Sequence, residues 1–330
     1  MKAPDYFWRA GHPAAWVLWP LSLLFGVAVW LRRYAYRHGW LGTSRIPVPV
    51  LVIGNITVGG AGKTPLVAWA ATRIAQMGRR PGVVLRGYGG TSEIWPLAVS
   101  SDTDPGLAGD EAVLLARRTA CPVVAGPDRV AAASRLVEEF GCDFVLSDDG
   151  LQHYALGRDL EIAVLDAGRM LGNRMLLPAG PLRERPGRLS SVDLVVTNGA
   201  CEDSNACFRV VASDAVNLQT GERRPLSGFR GQPCHAVAGI GNPERFFATL
   251  RAHDLAFDTR GFPDHHCFEP QDLAFGDQQP VLMTEKDAVK CERFALPYHW
   301  YVPVTARPGP RLDREFTRLL AELVNGQKTA

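Results

Sequence analysis

VPVLVIGNITVGGAGKTP, residues 48–65, passes from a continuous apolar run through a cluster of glycines to Lys63-Thr64-Pro65. The run VPVLVIGNI is rich in β-branched residues, has Pro47 and Pro49 at its start and glycines behind it, and reads as a buried parallel strand. Pro65 is tolerable in a first helical turn, and LVAWAATRIAQMG then carries apolar residues at helical spacing until Gly78 closes it. Strand, glycine loop and helix in this order make a phosphate-binding loop. Gly59, Gly60, Ala61 and Gly62 let backbone N–H groups turn inward around phosphate oxygens, Lys63 can reach the outer phosphates, and Thr64 can ligate Mg²⁺. The general spacing GxxxxGK[ST] asks for glycine at position 57, where this chain has Thr57.

Downstream the pattern alternates. PGVVLRGYGG (81–90) is a short strand ending in a flexible turn, GDEAVLLARRTA (109–120) a helix with Asp110 and Glu111 at its start, and CPVVAG (121–126) a strand. A helix at DRVAAASRLVEEFG follows, then strands at DFVLSDDG (143–150), LEIAVLDAG (160–168) and VDLVVTNG (192–199). This alternation implies an α/β fold with a parallel sheet covered by helices. A second, smaller α/β unit is expected from residue 208 to 330, with a strand at CHAVAGIG (234–241), the helix PERFFATLRAH, the polar loop RGFPDHHCF, a strand and turn at PVLMTEKDAVK (280–290) and a late strand at WYVPVTA. The nucleotide-binding unit then covers 34–207 together with an apolar segment at 1–33.

That segment holds 19 uncharged residues from Pro13 to Leu31, with Trp16, Trp19 and Trp30 near its ends and Arg32-Arg33 behind it. The length is near the minimum for a bilayer span, and the tryptophans and basic flank suit an interface with the rest of the chain on the cytoplasmic side. Pro20 and Gly26 interrupt it, which favours a monotopic or peripheral helix, with a single span or an apolar helix covering a soluble core as alternatives. No clean small-x-small cleavage site follows. The net charge is only +2, which gives no reason to expect nucleic-acid binding, but six Lys or Arg against one carboxylate in residues 1–45 favour an anionic surface. Seven cysteines without CxxC spacing make a reducing compartment the simpler reading. His265, His266 and Cys267 are adjacent but lack a second ligand cluster, so structural zinc is not expected.

A carboxylate that directs Mg²⁺ should stand at the end of a neighbouring strand. Asp148 and Asp149 fit, because consecutive carboxylates at a strand end are costly unless a cation or solvent relieves them; Asp166 is the weaker alternative. No NKxD tetrad reads guanine, and TEKD at 284–287 is a superficial echo of one. Phosphoryl transfer to an alcohol also needs a base. Asp110 at a helix start and His265 in a polar loop are the candidates, with helix capping and a surface histidine as the plainer readings.

GNITVGGAGKTP (54–65), RGYGG (86–90), GDE (109–111), SDDGLQH (147–153), LLPAGPLRE (176–184), GIGNPERF (239–246), FPDHH (262–266) and TEKDAVK (284–290) together resemble the tetraacyldisaccharide 4'-kinase family over most of the chain and in order. Thr57 in the loop is itself what this family looks like. The resemblance implies transfer of the ATP γ-phosphate to the 4'-hydroxyl of a tetraacylated glucosamine disaccharide 1-phosphate, an inner-membrane step of lipid A biosynthesis in Gram-negative bacteria. It implies a first domain similar to P-loop folds, a smaller carboxyl-terminal domain, and a cleft between them that closes over ATP and the lipid. Lys63, Thr64 and Pro65 with the loop glycines would hold ATP and Mg²⁺, and Asp148 and Asp149 would complete the metal side. Asp110 would act as or near the base with Glu111 beside it, and His265 would support it from across the cleft, His266 being the less certain of the two. Arg86 suits phosphate or developing charge, and Gln152 and His153 suit substrate or metal-shell hydrogen bonds. The implied partner is the lipid substrate in the inner leaflet, with no nucleic acid and no required protein partner. The competing readings are a membrane-associated ATPase that binds a polypeptide and a kinase for a soluble sugar or nucleoside.

Overall fold

The computed structural model describes residues 8, 12–199, 201 and 205–326. Helix α1 (Pro13–Arg37) comes first, followed by β1 (Val50–Gly54), α2 (Lys63–Gln76), β2 (Pro81–Leu85), β3 (Leu97–Val99), α3 (Pro105–Ala108), α4 (Asp110–Arg118), β4 (Val123–Ala125), α5 (Arg129–Glu138), β5 (Phe144–Asp148), β6 (Leu160–Asp166), β7 (Leu194–Asn198) and β8 (Cys207–Ala212). These strands and one late strand, β15 (Val304–Pro308), form a nine-stranded sheet in the order β15-β8-β7-β6-β1-β5-β2-β4-β3. The pairs from β8 to β4 are parallel, and β3 and β15 are antiparallel at the two edges. β1 is buried at every position, which explains its unbroken apolar run, and β5 is buried throughout although it ends in Ser147 and Asp148.

The second sheet runs β10-β9-β14-β13-β11-β12, built from β9 (Ala215–Asn217), β10 (Arg223–Arg224), β11 (Cys234–Ala238), β12 (Phe257–Gly261), β13 (Val281–Thr284) and β14 (His299–Val302). Helices α6 (Pro243–Arg251) and α7 (Glu285–Cys291) follow β11 and β13.

Three expectations need correction. The bodies do not divide at 207/208, because β8 and β15 both belong to the first sheet and helix α8 (Pro310–Val324) packs Leu312, Phe316, Leu319 and Leu320 into its core. The late segment WYVPVTA is not one strand. Pro303 has no N–H for a ladder and separates β14 in the second sheet from β15 in the first, so the chain crosses between bodies there and again between β8 and β9. TEKD is not a turn but the start of α7, with Thr284 as its N-cap accepting from the Asp287 N–H. A fourth difference concerns the cysteines: Cys201, beyond β7, and Cys207, the first residue of β8, form a disulfide.

Helix α1 is long and apolar enough to cross a membrane by length and composition, and only 17% of its most apolar window is buried. A core-covering helix would be mostly buried. Its contact with the body runs through small residues instead: Ser22 Oγ donates to Leu176 O and accepts from Ala179 N–H, both at 2.9 Å, and Gly26 sits against Leu176. Trp16, Val17, Leu24 and Val27 project outward, more than half exposed.

Candidate active site

The phosphate loop leaves the carboxyl end of β1. Gly62 has φ +85°, and a Cβ there would come within 2.3 Å of Asn198 Nδ2, so this position requires glycine twice over. Asn198 donates to Ala61 O at 2.9 Å, and Arg169 donates to Gly60 O at 2.9 Å, which hold the loop from outside. Thr57 is explained as well. It forms an isolated antiparallel bridge with Leu182, and Val58 N–H donates to Pro181 O, so position 57 is tied to the 176–184 segment and does not turn around phosphate.

Lys63 opens α2 and points its Nζ at Asn55 Oδ1 (3.2 Å) and Asp149 Oδ1 (3.4 Å). Register places Asp148 beside Ile53 at the loop side of the sheet. Asp148 is fully buried, its Oδ1 has no hydrogen-bond partner, and burial first, then the Glu111 carboxylate, push its carboxyl up to about 7. Asp149 behaves oppositely. Burial works against its charge, but Lys63 and Arg183, the latter at 2.9 Å, hold it below the ordinary carboxylate range. It also sits at φ +50°, a strained conformation for a non-glycine residue of the kind that persists where function requires it. An unpartnered buried carboxylate oxygen beside a second carboxylate, a lysine and a helix amino terminus is a donor set that fits Mg²⁺ with a polyphosphate.

The orphaned carboxyl has a consequence for stability. Its folded-state value lies above the unfolded one of 3.8, so the free enzyme loses stability as pH rises from there to about 7 and no further beyond. Asp148→Asn should therefore stabilise the ligand-free protein, by on the order of 2 to 4 kcal/mol at pH 8 and by almost nothing at pH 4. Thermal melts of both proteins across this range check the sign.

Asp110 stands at the first position of α4, delivered by Gly109 at φ +88°, where a Cβ would lie 2.4 Å from Tyr88 O. Asp110 Oδ1 accepts the Glu111 N–H at 2.9 Å, and its Oδ2 lies 3.1 Å from His265 Nδ1. His265 follows β12 in the second body and adopts φ +60°, a further strained residue at the cleft. Two lysines that the sequence reading missed approach from α7: Lys286 Nζ lies 3.1 Å from Glu111 Oε1, 3.4 Å from Asp264 Oδ1 and 3.9 Å from Asp110 Oδ2, and Lys290 Nζ lies 3.7 Å from Asp110 Oδ2. Burial opposes the charge on Asp110, but the bond from His265 and then the Lys286 charge outweigh it and keep its pKa below the ordinary value. The bond to Asp110 raises the pKa of His265, with burial opposing.

The two bodies also meet over the phosphate loop. A Cβ on Gly241 would be 3.8 Å from Gly60 N, and Arg245 reaches from α6 to Asp166 Oδ2 (3.1 Å) and Asn198 Oδ1 (3.0 Å). Asp166, the weaker metal candidate, is thus spent on Arg245 and on the N–H groups of Gly168 and Arg169. Asp287 is likewise used inside the second body, accepting from Gly239 N–H and Thr284 Oγ, so the TEKD stretch has no free carboxylate for a guanine base.

Other candidates are more peripheral. Gln152 bridges Asn55 O (3.1 Å) and Arg183 (3.4 Å), and burial with the Arg129 charge lowers His153 to about 4. Arg86 is exposed immediately after β2, and Thr64 and Pro65 are half-buried in the first turn of α2. His266 turns away from Asp110 to bond Asp272 (2.8 Å) and stack on Phe262. The missed lysines could have been found from the sequence: KDAVK places Lys286 and Lys290 four apart, on one face of a helix, once TEKD is read as a helix start.

The family model for tetraacyldisaccharide-1-P 4'-kinase matches residues 14–324. The chain belongs to this family. It is 56% identical over 298 residues to the tetraacyldisaccharide 4'-kinase of Nitrosococcus oceani, covering 90% of this chain and 88% of that one. The Pseudomonas fluorescens tetraacyldisaccharide 4'-kinase is 48% identical, with 96% of each chain covered. Among solved structures, the crystal structure of LpxK from Aquifex aeolicus in complex with ATP is similar at a TM-score of 0.77 and 26% identity, over 93% of this chain and 99% of that one. As a member of the tetraacyldisaccharide 4'-kinase family the chain is an ATP- and Mg²⁺-dependent kinase of lipid A biosynthesis.

Proposed function

We propose that the chain transfers the γ-phosphate of ATP to the 4'-hydroxyl of tetraacyldisaccharide 1-phosphate, forming lipid IVA, with the transfer centred between Lys63 and Asp110. The observation that carries this reading is the 3.1 Å approach of His265, from the second body, to Asp110 at a helix start in the first. A nucleotide-hydrolysing switch has no need for a carboxylate and imidazole paired across a cleft, whereas an alcohol acceptor does.

In this reading the inward-turned N–H groups of the glycine loop bind the phosphates, and Lys63 neutralises charge on the outer ones. Thr64, Asp148 and Asp149 would hold Mg²⁺, which supplies charge neutralisation to the transferring phosphoryl group. Asp110 accepts the proton of the 4'-hydroxyl as the hydroxyl oxygen bonds to the γ-phosphorus and the bond from that phosphorus to the β–γ bridging oxygen breaks, releasing ADP; Glu111 and Lys286 line the same wall. Arg86 is left for the developing charge. Gln152 orients Arg183 and the Asn55 backbone and acts through them, and His153, held neutral, is available only as a hydrogen-bonding group. The test is incubation of the purified protein with labelled ATP and the tetraacyl disaccharide 1-phosphate. Label on the lipid supports the reading, and hydrolysis stimulated by polypeptide but indifferent to lipid would replace it.

The exposed apolar face of α1, the basic Arg32, Arg33 and Arg37 behind it and a lipid acceptor together support a monotopic or peripheral position at the cytoplasmic face of the inner membrane. Replacing Trp16, Leu24 and Val27 together with Glu should abolish binding to anionic vesicles and raise the apparent lipid KM about 10-fold or more, while soluble ATP binding is unchanged. Co-sedimentation and kinetics on mixed micelles measure both, and a variant that still pellets with vesicles would remove α1 from the role.

A further inference from the structure

Asp166 and Asn198 close the adjacent strands β6 and β7 as register partners, and each is tied to one carbonyl of the glycine loop. Asn198 Nδ2 donates to Ala61 O at 2.9 Å. Asp166 Oδ1 accepts the N–H groups of Gly168 and Arg169 at 3.0 and 3.1 Å, and so fixes the turn from which the Arg169 guanidinium donates to Gly60 O at 2.9 Å. In a trans peptide the carbonyl and the following N–H point to opposite sides of one rigid plane. Holding the Gly60 and Ala61 carbonyls from outside therefore aims the N–H groups of Ala61 and Gly62 the other way, into the loop, where phosphate oxygens are bound.

The other side of both residues is taken by a single side chain of the second body. Arg245, in the first turn of α6, donates from Nη1 to Asp166 Oδ2 at 3.1 Å and from Nη2 to Asn198 Oδ1 at 3.0 Å. A guanidinium only donates and a carbonyl only accepts, so Asn198, standing between the two, has one amide orientation that satisfies both: Oδ1 to Arg245 and Nδ2 to Ala61 O. We propose that Arg245 is a positioning residue that acts through Asn198 and Asp166 to hold the phosphate loop in its nucleotide-binding shape, and does so only where the second body is docked on the first.

A plain tie between the bodies would have different consequences, and the structure supplies one for comparison. Arg117 of α4 pairs with Glu292, with 2.8 Å from Nη2 to Oε2, and joins the same two bodies through α4 and the turn after α7 rather than through the strand ends beside the loop. Removing it loosens the contact between bodies and leaves Asp166, Asn198 and Arg169 in place. The role given to Arg245 rests on the loop as the phosphate site of the proposed function. It uses neither the lipid nor the proton acceptor, so ATP alone tests it.

Two measurements on the full chain read the loop and its ligand separately: amide hydrogen exchange of peptides spanning 56–64 without nucleotide, and calorimetric binding of ATP. Arg245→Met should speed exchange in the loop and weaken ATP binding, each by about 10-fold, the scale of one lost charge-assisted hydrogen bond. Arg117→Met should change either by less than about 2-fold. Arg245→Lys, whose single nitrogen serves one acceptor at a time, should fall between the methionine variant and the wild type, and it carries the same two tests if Arg245→Met does not fold. Because Arg245 acts through Asn198, the double variant of Arg245→Met and Asn198→Ala should weaken ATP by less than the product of the single losses. Wild-type ATP affinity in folded Arg245→Met overturns the proposal, as do equal losses in Arg245→Met and Arg117→Met. Lys63→Ala tells this failure from that of the loop itself. If it too binds ATP as the wild type does, the loop is not the phosphate site; if it alone loses ATP, the loop keeps its role and only Arg245 is removed.

Discussion

Lys63→Ala is expected to lower lipid phosphorylation by about 10³-fold or more, the scale of removing a charge that acts on a transferring phosphoryl group. The residue begins α2 at the mouth of the glycine loop, and its side chain is only 13% exposed, so it cannot be replaced by a mobile surface cation. The fold should tolerate the change. Asp149 keeps Arg183 at 2.9 Å, and Asn55 keeps Gly59 O within 3.3 Å of its amide, so neither partner of Lys63 is left isolated. One side effect follows from the lysine's pull on Asp148: its loss should raise that carboxyl still further and weaken Mg²⁺ binding at neutral pH. Transfer, melting temperature and ATP binding measured on the same preparation separate these effects. A folded variant with undiminished transfer would show that Lys63 does not touch the reacting phosphate.

What the sequence made legible was the part of the structure encoded locally. The run at 48–56, the glycine loop and the apolar helix behind it form one continuous unit, and the alternation after it places Asp148 at a strand end; that this strand lies beside β1 comes from the fold. Asp110 at a helix start was readable for the same reason. The missed features all depend on chain segments far apart. β8 and β15 are partly exposed, β15 reads as a continuation of β14, and the two pair only because the chain returns across Pro303. Helix α8 has a strong amphipathic pattern, with Leu312, Phe316, Leu319 and Leu320 on one face, but its place in the core of the first sheet depends on the chain crossing back at Pro303. Lys286 and Lys290 acquire their meaning only through 175- and 180-residue separations from Glu111 and Asp110, which α7 packing against α4 brings to contact.

Asp110→Asn should lower kcat by about 10²- to 10⁴-fold with little change in ATP affinity, the range for losing a positioned base. Asparagine is the informative choice, because its amide oxygen can still accept the Glu111 N–H that Asp110 Oδ1 now takes at 2.9 Å. The helix start is therefore preserved while the negative charge facing His265, Lys286 and Lys290 is lost. Stability will also change, and its pH dependence identifies the source. Asp110 has a folded-state pKa below its unfolded value of 3.8, so its stabilisation is present above that pH and disappears as pH falls through the lower folded value. His265 has the opposite sign. Its pKa is raised above 6.5, so its stabilisation is complete below that value and is lost as pH rises through the folded one. His265→Ala should thus destabilise the protein at pH 5.5 and scarcely at pH 9, whereas Asp110→Asn should destabilise it at both. The kinetic forecast is independent of these melts. Because the pair shares one hydrogen bond, the double variant should lose less in kcat than the product of the single losses, as residues acting as a unit do. Single-turnover transfer at pH 9, where the histidine contributes little to the fold, provides the clean comparison. Strict multiplication of the two losses would mean that His265 acts elsewhere, and near-normal transfer in a destabilised Asp110→Asn would reduce Asp110 to a structural residue at the head of α4.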